Sequence, residues 1–204
     1  MPNWCTNTVD IEGDVADVAK AKSLLLIPDS KIPGELHVTF KQILPRHPDL
    51  DIVSGSTTTD AWALEDDAEA VKILGYPWVK ELGITDIAGV RAMLREQYLK
   101  NPQCNIPTLD GFLERVKSNI DRFGFADWYA WSCENWGTKW DACDSQILID
   151  TPTHLCVRFD TAWSPPDPVL TKLHELVGKR LRIRNLWREE GGLHDAFELY
   201  DETE

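Results

Sequence analysis

The chain has 204 residues, 43% hydrophobic and 27% charged, enough for one sizeable core with an appendage. Its 34 acids against 21 bases give a formal net charge of −13, a field that repels phosphate backbones, so no direct nucleic-acid binding is expected. No run of about 18 apolar residues offers a membrane span, and five scattered cysteines (Cys5, Cys104, Cys133, Cys143, Cys156) make no disulfide framework, which points to a reducing cytoplasm.

The opening Met1-Pro-Asn-Trp-Cys5 has neither a basic flank nor an apolar stretch, so no signal peptide is expected. From Asn3 to Glu12 the residues alternate, with Cys5, Asn7, Val9 and Ile11 on one face, which predicts a half-buried strand. Gly13-Asp14 ends it, and Asp14 is placed to cap a helix with apolar positions Val15, Val18, Ala19, Leu25 and Leu26. Pro28 and Pro33-Gly34 close that helix. Leu36, Val38 and Phe40 then alternate with His37, Thr39 and Lys41 as a second strand.

From about Arg46 to Phe125 the pattern changes. Residues 51–60 are polar and read as a loop, followed by helical periodicity at Asp60–Leu74, Asp86–Lys100 and Thr108–Phe123. In the last of these Thr108 is an N-cap, Leu109, Phe112, Leu113, Val116 and Ile120 form a stripe, and Gly124 stands where a helix stops. Residues 46–124 are thus read as a helical insertion into a sheet domain made of 1–45 and 125–204.

The last third returns to strands. Gln146–Asp150 and His154–Trp163 flank Thr151-Pro152-Thr153, and Leu155, Val157, Phe159, Thr161 and Trp163 share one face. Pro165-Pro166 stops the strand, and a helix over Asp167–Val177 turns Val169, Leu170, Leu173 and Leu176 inward. Arg180–Arg188 and Leu193–Tyr200 make a hairpin on Gly191-Gly192, with Arg182 opposite Asp201 and Arg188 opposite Asp195. Two strand–helix–strand units in series predict an α+β fold: a split ferredoxin-like, mostly antiparallel sheet with helices on one face and a helical insertion.

Chemistry concentrates in Trp128–Asp144, which holds four of the nine tryptophans. Asn135, Trp136, Lys139, Trp140 and Asp141, together with Trp163 of Thr161–Pro166, are the candidate ligand- or partner-binding residues. They suit a polar pocket walled by indoles; equally, Asn135 suits a turn and Lys139–Asp141 a surface ion pair. Cys133, Cys143, His154 and Cys156 are separated by nine, ten and one residues, without the Cys-x-x-Cys knuckle of a zinc site. No metal, cofactor or catalytic residue is expected, since nucleophile elbow and phosphate loop are both missing. Glu65-Asp66-Asp67 reads as a solvated helix face. Arg180, Arg182 and Arg184 run against the general charge and are expected to pair across their hairpin.

Met1-Pro-Asn-Trp-Cys-Thr-Asn7, Asn135-Trp-Gly-Thr-Lys-Trp-Asp141 and Thr161-Ala-Trp-Ser-Pro-Pro166, taken in order, resemble the YubB/Api-type ferredoxin-like domain family of phage and conjugative-plasmid proteins. The resemblance covers about residues 1–45 and 125–200 and leaves out the helical middle. It implies a ferredoxin-like fold and a mobile-element gene acting in the bacterial host cytoplasm, and it implies no catalytic residues. With the acid excess it predicts a non-enzymatic accessory protein that binds a host protein, such as a basic nucleic-acid-binding complex, and inhibits a defence system of the CRISPR or restriction kind. The alternatives are a small-ligand or enzymatic pocket at Asn135–Asp141, and a phage structural or replication-associated role.

Overall fold

The computed structural model describes residues 3–29 and 32–200. The chain runs β1 (Trp4–Glu12), α1 (Val15–Leu25), β2 (Leu26–Pro28), β3 (Leu36–Val38), a 3-10 turn (Pro48–Leu50), α2 (Ser56–Trp62), α3 (Asp67–Leu74) and α4 (Pro77–Glu81). It continues through α5 (Ile87–Lys100), α6 (Leu109–Phe123), α7 (Trp128–Asn135), β4 (Cys143–Thr151), β5 (His154–Ala162), α8 (Asp167–Leu176), β6 (Arg182–Glu189) and β7 (His194–Leu199). It divides into two compact units, Met1–Arg46 with Ser132–Glu204, and His47–Trp131.

The first unit is built on a five-stranded sheet of order β4-β5-β1-β6-β7. Every neighbouring pair is antiparallel. Hence β1 and β4 run the same way with β5 between them, as β5 and β6 do with β1 between them. This interleaving of two strand–helix–strand units is the ferredoxin-like arrangement. On β1 the predicted face is buried: Cys5, Asn7, Val9 and Ile11 are all fully inside. Leu155, Val157, Phe159 and Ile183 join them, and α1 and α8 bring Val18, Ala21, Leu25, Val169, Leu170 and Leu173 to the core. Each such aliphatic side chain contributes about 1.5–3 kcal/mol on burial.

Four details differ from expectation. First, β3 pairs with β2 in a separate two-stranded ribbon, Leu26 opposite Val38, and β4 takes the place beside β5. The chain leaves β3 at Thr39 because the Asp141 carboxylate accepts from both the Thr39 hydroxyl and the Phe40 amide at 2.8 Å. Second, α1 is rotated: Val15 and Ala19 face solvent and Asp17 is buried, its carboxylate held by the Arg180 guanidinium at 3.0 and 2.9 Å. Asp14 precedes the helix without a side-chain cap.

Third, β5 ends at Ala162. Trp163 adopts φ 77, donates its amide to the Asn3 carbonyl at 2.9 Å, and leaves the buried face with 42% of its surface exposed. Leu176 is likewise exposed on α8. Fourth, the β6–β7 hairpin is centred on Gly191. The amide of Gly192 donates to the Glu189 carbonyl, that of Glu189 donates to the Leu193 carbonyl, and Gly192 takes φ 97. A three-residue loop closed by a left-handed glycine shifts the register by one residue from a loop centred on the glycine pair. Arg188 therefore faces His194, not Asp195. The expected Asp201 partner of Arg182 lies outside the described residues.

The second unit has its own core, in which Ile52, Leu64, Ile73, Val79, Val90, Leu94, Phe112 and Val116 are buried together. The α6 signals hold: the Thr108 hydroxyl accepts from the Gly111 amide at 3.1 Å and Gly124 ends the helix at φ 78. Ile120, however, points outward. The span read as one helix over Asp60–Leu74 is two, because Asp66 caps α3 by accepting from the amides of Ala68 and Glu69. The flanking acids pair with bases, Glu65 with Lys117 and Asp67 with Arg91.

Candidate functional site

The Trp-rich segment begins as helix α7 and becomes a turn at Trp136. Trp136 is 1% exposed, donates its indole N–H to the Leu44 carbonyl at 2.9 Å, and meets Phe40 edge-on at 5.9 Å. The Arg46 guanidinium covers the same ring at 5.2 Å. This indole is a structural anchor.

Gly137 follows at φ 74, where a Cβ would stand 2.7 Å from Pro168 Cδ, so the turn lies against the start of α8. Three hydroxyls lock it there. Thr138 donates to the Ala162 carbonyl at 2.8 Å, Ser164 to the Gly137 carbonyl at 2.5 Å, and Thr161 to the Ser164 carbonyl at 2.8 Å. Behind Thr161 stands a fully buried amide pair: Asn185 donates to Asn7 and Asn7 to the Thr161 hydroxyl, each at 2.9 Å. A buried polar chain of this kind specifies one arrangement of β1, β5 and β6, because any slip would strand its donors away from water.

This lock brings some of the candidate residues together and separates others. The Lys139 ammonium lies 4.8 Å from the Trp140 ring centre and 5.0 Å from that of Trp163, between two indoles. Trp4 extends the aromatic surface, 6.0 Å from Trp140 at 47°. At its edge the Glu190 carboxylate accepts from the Trp4 amide at 3.0 Å. Asp141 is turned elsewhere. Its carboxylate accepts from Thr39, Phe40 and its neighbour Ala142, and its cationic neighbour is Lys41 at 3.7 Å. Asn135 ends α7 and lines another depression, with Leu44, Asp167, Pro168 and Thr171. Of the six candidates, then, Lys139, Trp140 and Trp163 form one surface ledge, while Trp136 and Asp141 hold the chain in place. Trp4, beside Trp140, is not among the candidates read from the sequence. Its only signal was its place in the Met1–Asn7 motif.

Two of the thiols, Cys5 and Cys156, are set against acid–base activation. Burial pushes Cys5 up to about 11, and burial with the neighbouring Asp10 carboxylate does the same to Cys156. Both stay protonated at neutral pH and are poor nucleophiles and ligands. Among the described residues no group of three or more His, Cys, Asp or Glu is placed to hold a metal ion; His154 meets Asp10 at 2.9 Å.

On the sheet face away from the helices, Arg182 donates to Glu198 at 2.6 Å and stands 4.0 Å from Glu12. Arg184 lies between Asp10 and Glu198 in the cross-strand register. The basic strip is thus interleaved with acids. Among the described residues no helix is long and apolar enough to cross a membrane.

The fold and the ledge define an α+β protein with a ferredoxin-like sheet and a surface cluster of indoles around a lysine. No protein-family model matches the sequence, and no curated protein matches it. Among solved structures it is similar to the protein Api92 from Yersinia pseudotuberculosis, a DUF1281 protein, at 14% identity and a TM-score of 0.43, over 98% of this chain and 95% of that one.

Proposed function

We propose that this is a non-enzymatic accessory protein that works by docking onto a host protein with a basic surface, through the ledge of Trp4, Lys139, Trp140 and Trp163. The observation that carries this reading is Trp163. A large residue held at φ 77 and 42% exposed is locally costly, and such strain clusters where a surface is used. Exposed tryptophan is also the side chain most often found at the energetic centre of protein interfaces. The net charge of −13 supplies the steering, since an acidic body approaches a basic groove faster than a neutral one. Taken with the resemblance to phage and plasmid proteins, the partner would be a nucleic-acid-binding defence complex of the CRISPR or restriction kind, inhibited by occupation of its groove.

A pocket enzyme receives less support, because Asn135, Lys139 and Asp141 face different neighbours. Affinity capture from a bacterial lysate tests the proposal. A specific protein should be retained at moderate salt and released as salt rises through about 0.5 M, where screening shortens to a few ångströms. Failure to retain any protein at moderate salt would contradict it.

A further inference from the structure

We infer that the helix-free face of the five-stranded sheet is a self-association surface, on which a second copy of this chain packs about a two-fold axis running along the strands between β1 and β6. This goes beyond the docking reading above and does not depend on it.

The observation is the order of charge on that face. Alternate residues of a strand share one side of a sheet, and the register fixes their neighbours. β1 presents Thr8, Asp10 and Glu12, and β6 sets Leu186, Arg184 and Arg182 directly beside them. An acidic strand thus lies next to a basic one at the middle of the face. One row further along, Asp160 on β5 and His194 on β7 flank Thr6 and Arg188. These four strands give the face four arginines and four acids, whereas the whole chain carries a net charge of −13. Three of the arginines, Arg158, Arg184 and Arg188, are exposed and make no ion pair or hydrogen bond among the described residues.

Rotation about the proposed axis lays β1 of one copy over β6 of the other without displacing any residue along the strand. Asp10 then meets Arg184 of the second copy and Glu12 meets its Arg182, and symmetry makes each contact twice. Asp160 meets His194 at the margin, and Thr8 meets Leu186, which is 42% exposed, near the centre. A two-fold axis across the strands would bring β6 over β6, with Arg182 opposite Arg188. A nucleic acid would meet Asp10 and Glu12 along with the arginines. The charge order therefore selects both the occupant and the axis.

Sheets pack face to face about 10 Å apart and within about 30° of alignment, a gap that opposed arginine and carboxylate side chains fill. Four strands about 4.8 Å apart overlap over seven residues of about 3.4 Å each. The two copies then bury on the order of 900 Å² together, the size of a weak, reversible interface, so the dissociation constant is expected at about 10–100 µM.

Sedimentation equilibrium of the whole chain from about 1 µM to about 1 mM tests this. The mass should rise from monomer to dimer across that range. Arg184→Glu and Asp10→Arg should each weaken the dimer at least about tenfold, since each sets like charges opposite one another at two places. An equimolar mixture of the two variants should dimerise as the wild type does: the native Asp10 of one meets the native Arg184 of the other, and the two introduced charges meet as a second pair. Asp10 also contacts His154 at 2.9 Å; if Asp10→Arg does not fold, Glu12→Arg mixed with Arg182→Glu decides in the same way. A monomer at the highest concentration, a dimer indifferent to Arg184→Glu, or variants that mixing does not rescue would overturn the proposal. So would a short DNA duplex that binds the monomer and is lost in Arg184→Glu. The readout is mass and not partner capture, so failure here leaves the accessory role standing.

Discussion

The hydroxyl of Thr138 donates to the main-chain oxygen of Ala162 at 2.8 Å, and both residues are buried. This bond joins the turn that carries Lys139 and Trp140 to the strand end that carries Trp163, alongside the Ser164 contact to Gly137 that links the same two segments. Thr138→Val preserves the shape and removes the donor, leaving a buried carbonyl unmatched. The expected loss is about 1–3 kcal/mol of unfolding free energy in urea, most of it recovered in Thr138→Ser.

Gly137 and Gly34 separate backbone strain from crowding. Both have positive φ, 74 and 90, but a Cβ on Gly137 meets the rigid Pro168 ring at 2.7 Å, whereas nothing lies within 4 Å at Gly34. Gly34→Ala should cost about 1–2 kcal/mol, the left-handed penalty alone. Gly137→Ala should cost that and a further 1–3 kcal/mol or so for overpacking. Equal losses in the two variants, measured by chemical denaturation, would contradict the close approach of the Trp136 turn to α8.

The tryptophans divide by role. Trp136 is enclosed and hydrogen-bonded, so Trp136→Ala should cost about 3–5 kcal/mol. Trp163 is 42% exposed and off the buried face of the sheet, so Trp163→Gln should cost much less stability than Trp136→Ala while weakening partner binding. Thermal and urea unfolding of the two variants side by side makes the comparison.

Much of this architecture is legible from local pattern alone. The alternation of Cys5, Asn7, Val9 and Ile11 gives β1, and Thr108 with Gly124 brackets α6 to the residue, because these signals act within a few positions. What escaped is what depends on distant partners. Asp141 looks like half of a surface ion pair until Phe40, 101 residues earlier, is seen to donate to it. Trp163 continues the apolar alternation of β5 in sequence but is turned out by its bond to Asn3. The glycine pair in the last hairpin marks a turn without saying which glycine takes the positive φ, and that choice moves the register by one. Similarly, the indole ledge needs Trp4 and Trp140 side by side, a pairing that no spacing encodes.

Asp167 introduces a pH dependence of known sign. Burial, and after it the charge of Asp195, raise its carboxyl above the ordinary value of 3.8, and its Oδ1 is buried without a donor among the described residues. The folded chain then holds this proton more tightly than the unfolded chain, so ionisation opposes folding. The penalty is absent below the ordinary value, grows as pH rises, and is complete above the raised value. The N-terminal dipole of α8 returns about 0.3–1 kcal/mol to the ionised form, and the upward shift means that desolvation outweighs it. Asp167→Asn should therefore raise the urea midpoint at neutral pH and lose that advantage as pH falls below 3.8. An advantage that persisted in acid would contradict desolvation as the cause.

The docking account is tested most directly by the dissociation constant of a captured partner for the wild-type chain and for Trp163→Gln, measured on folded protein at one fixed salt concentration. The account predicts a loss of at least about tenfold in the variant, the scale of a central aromatic contact. Equal affinity in the two chains would place the interface elsewhere on the molecule.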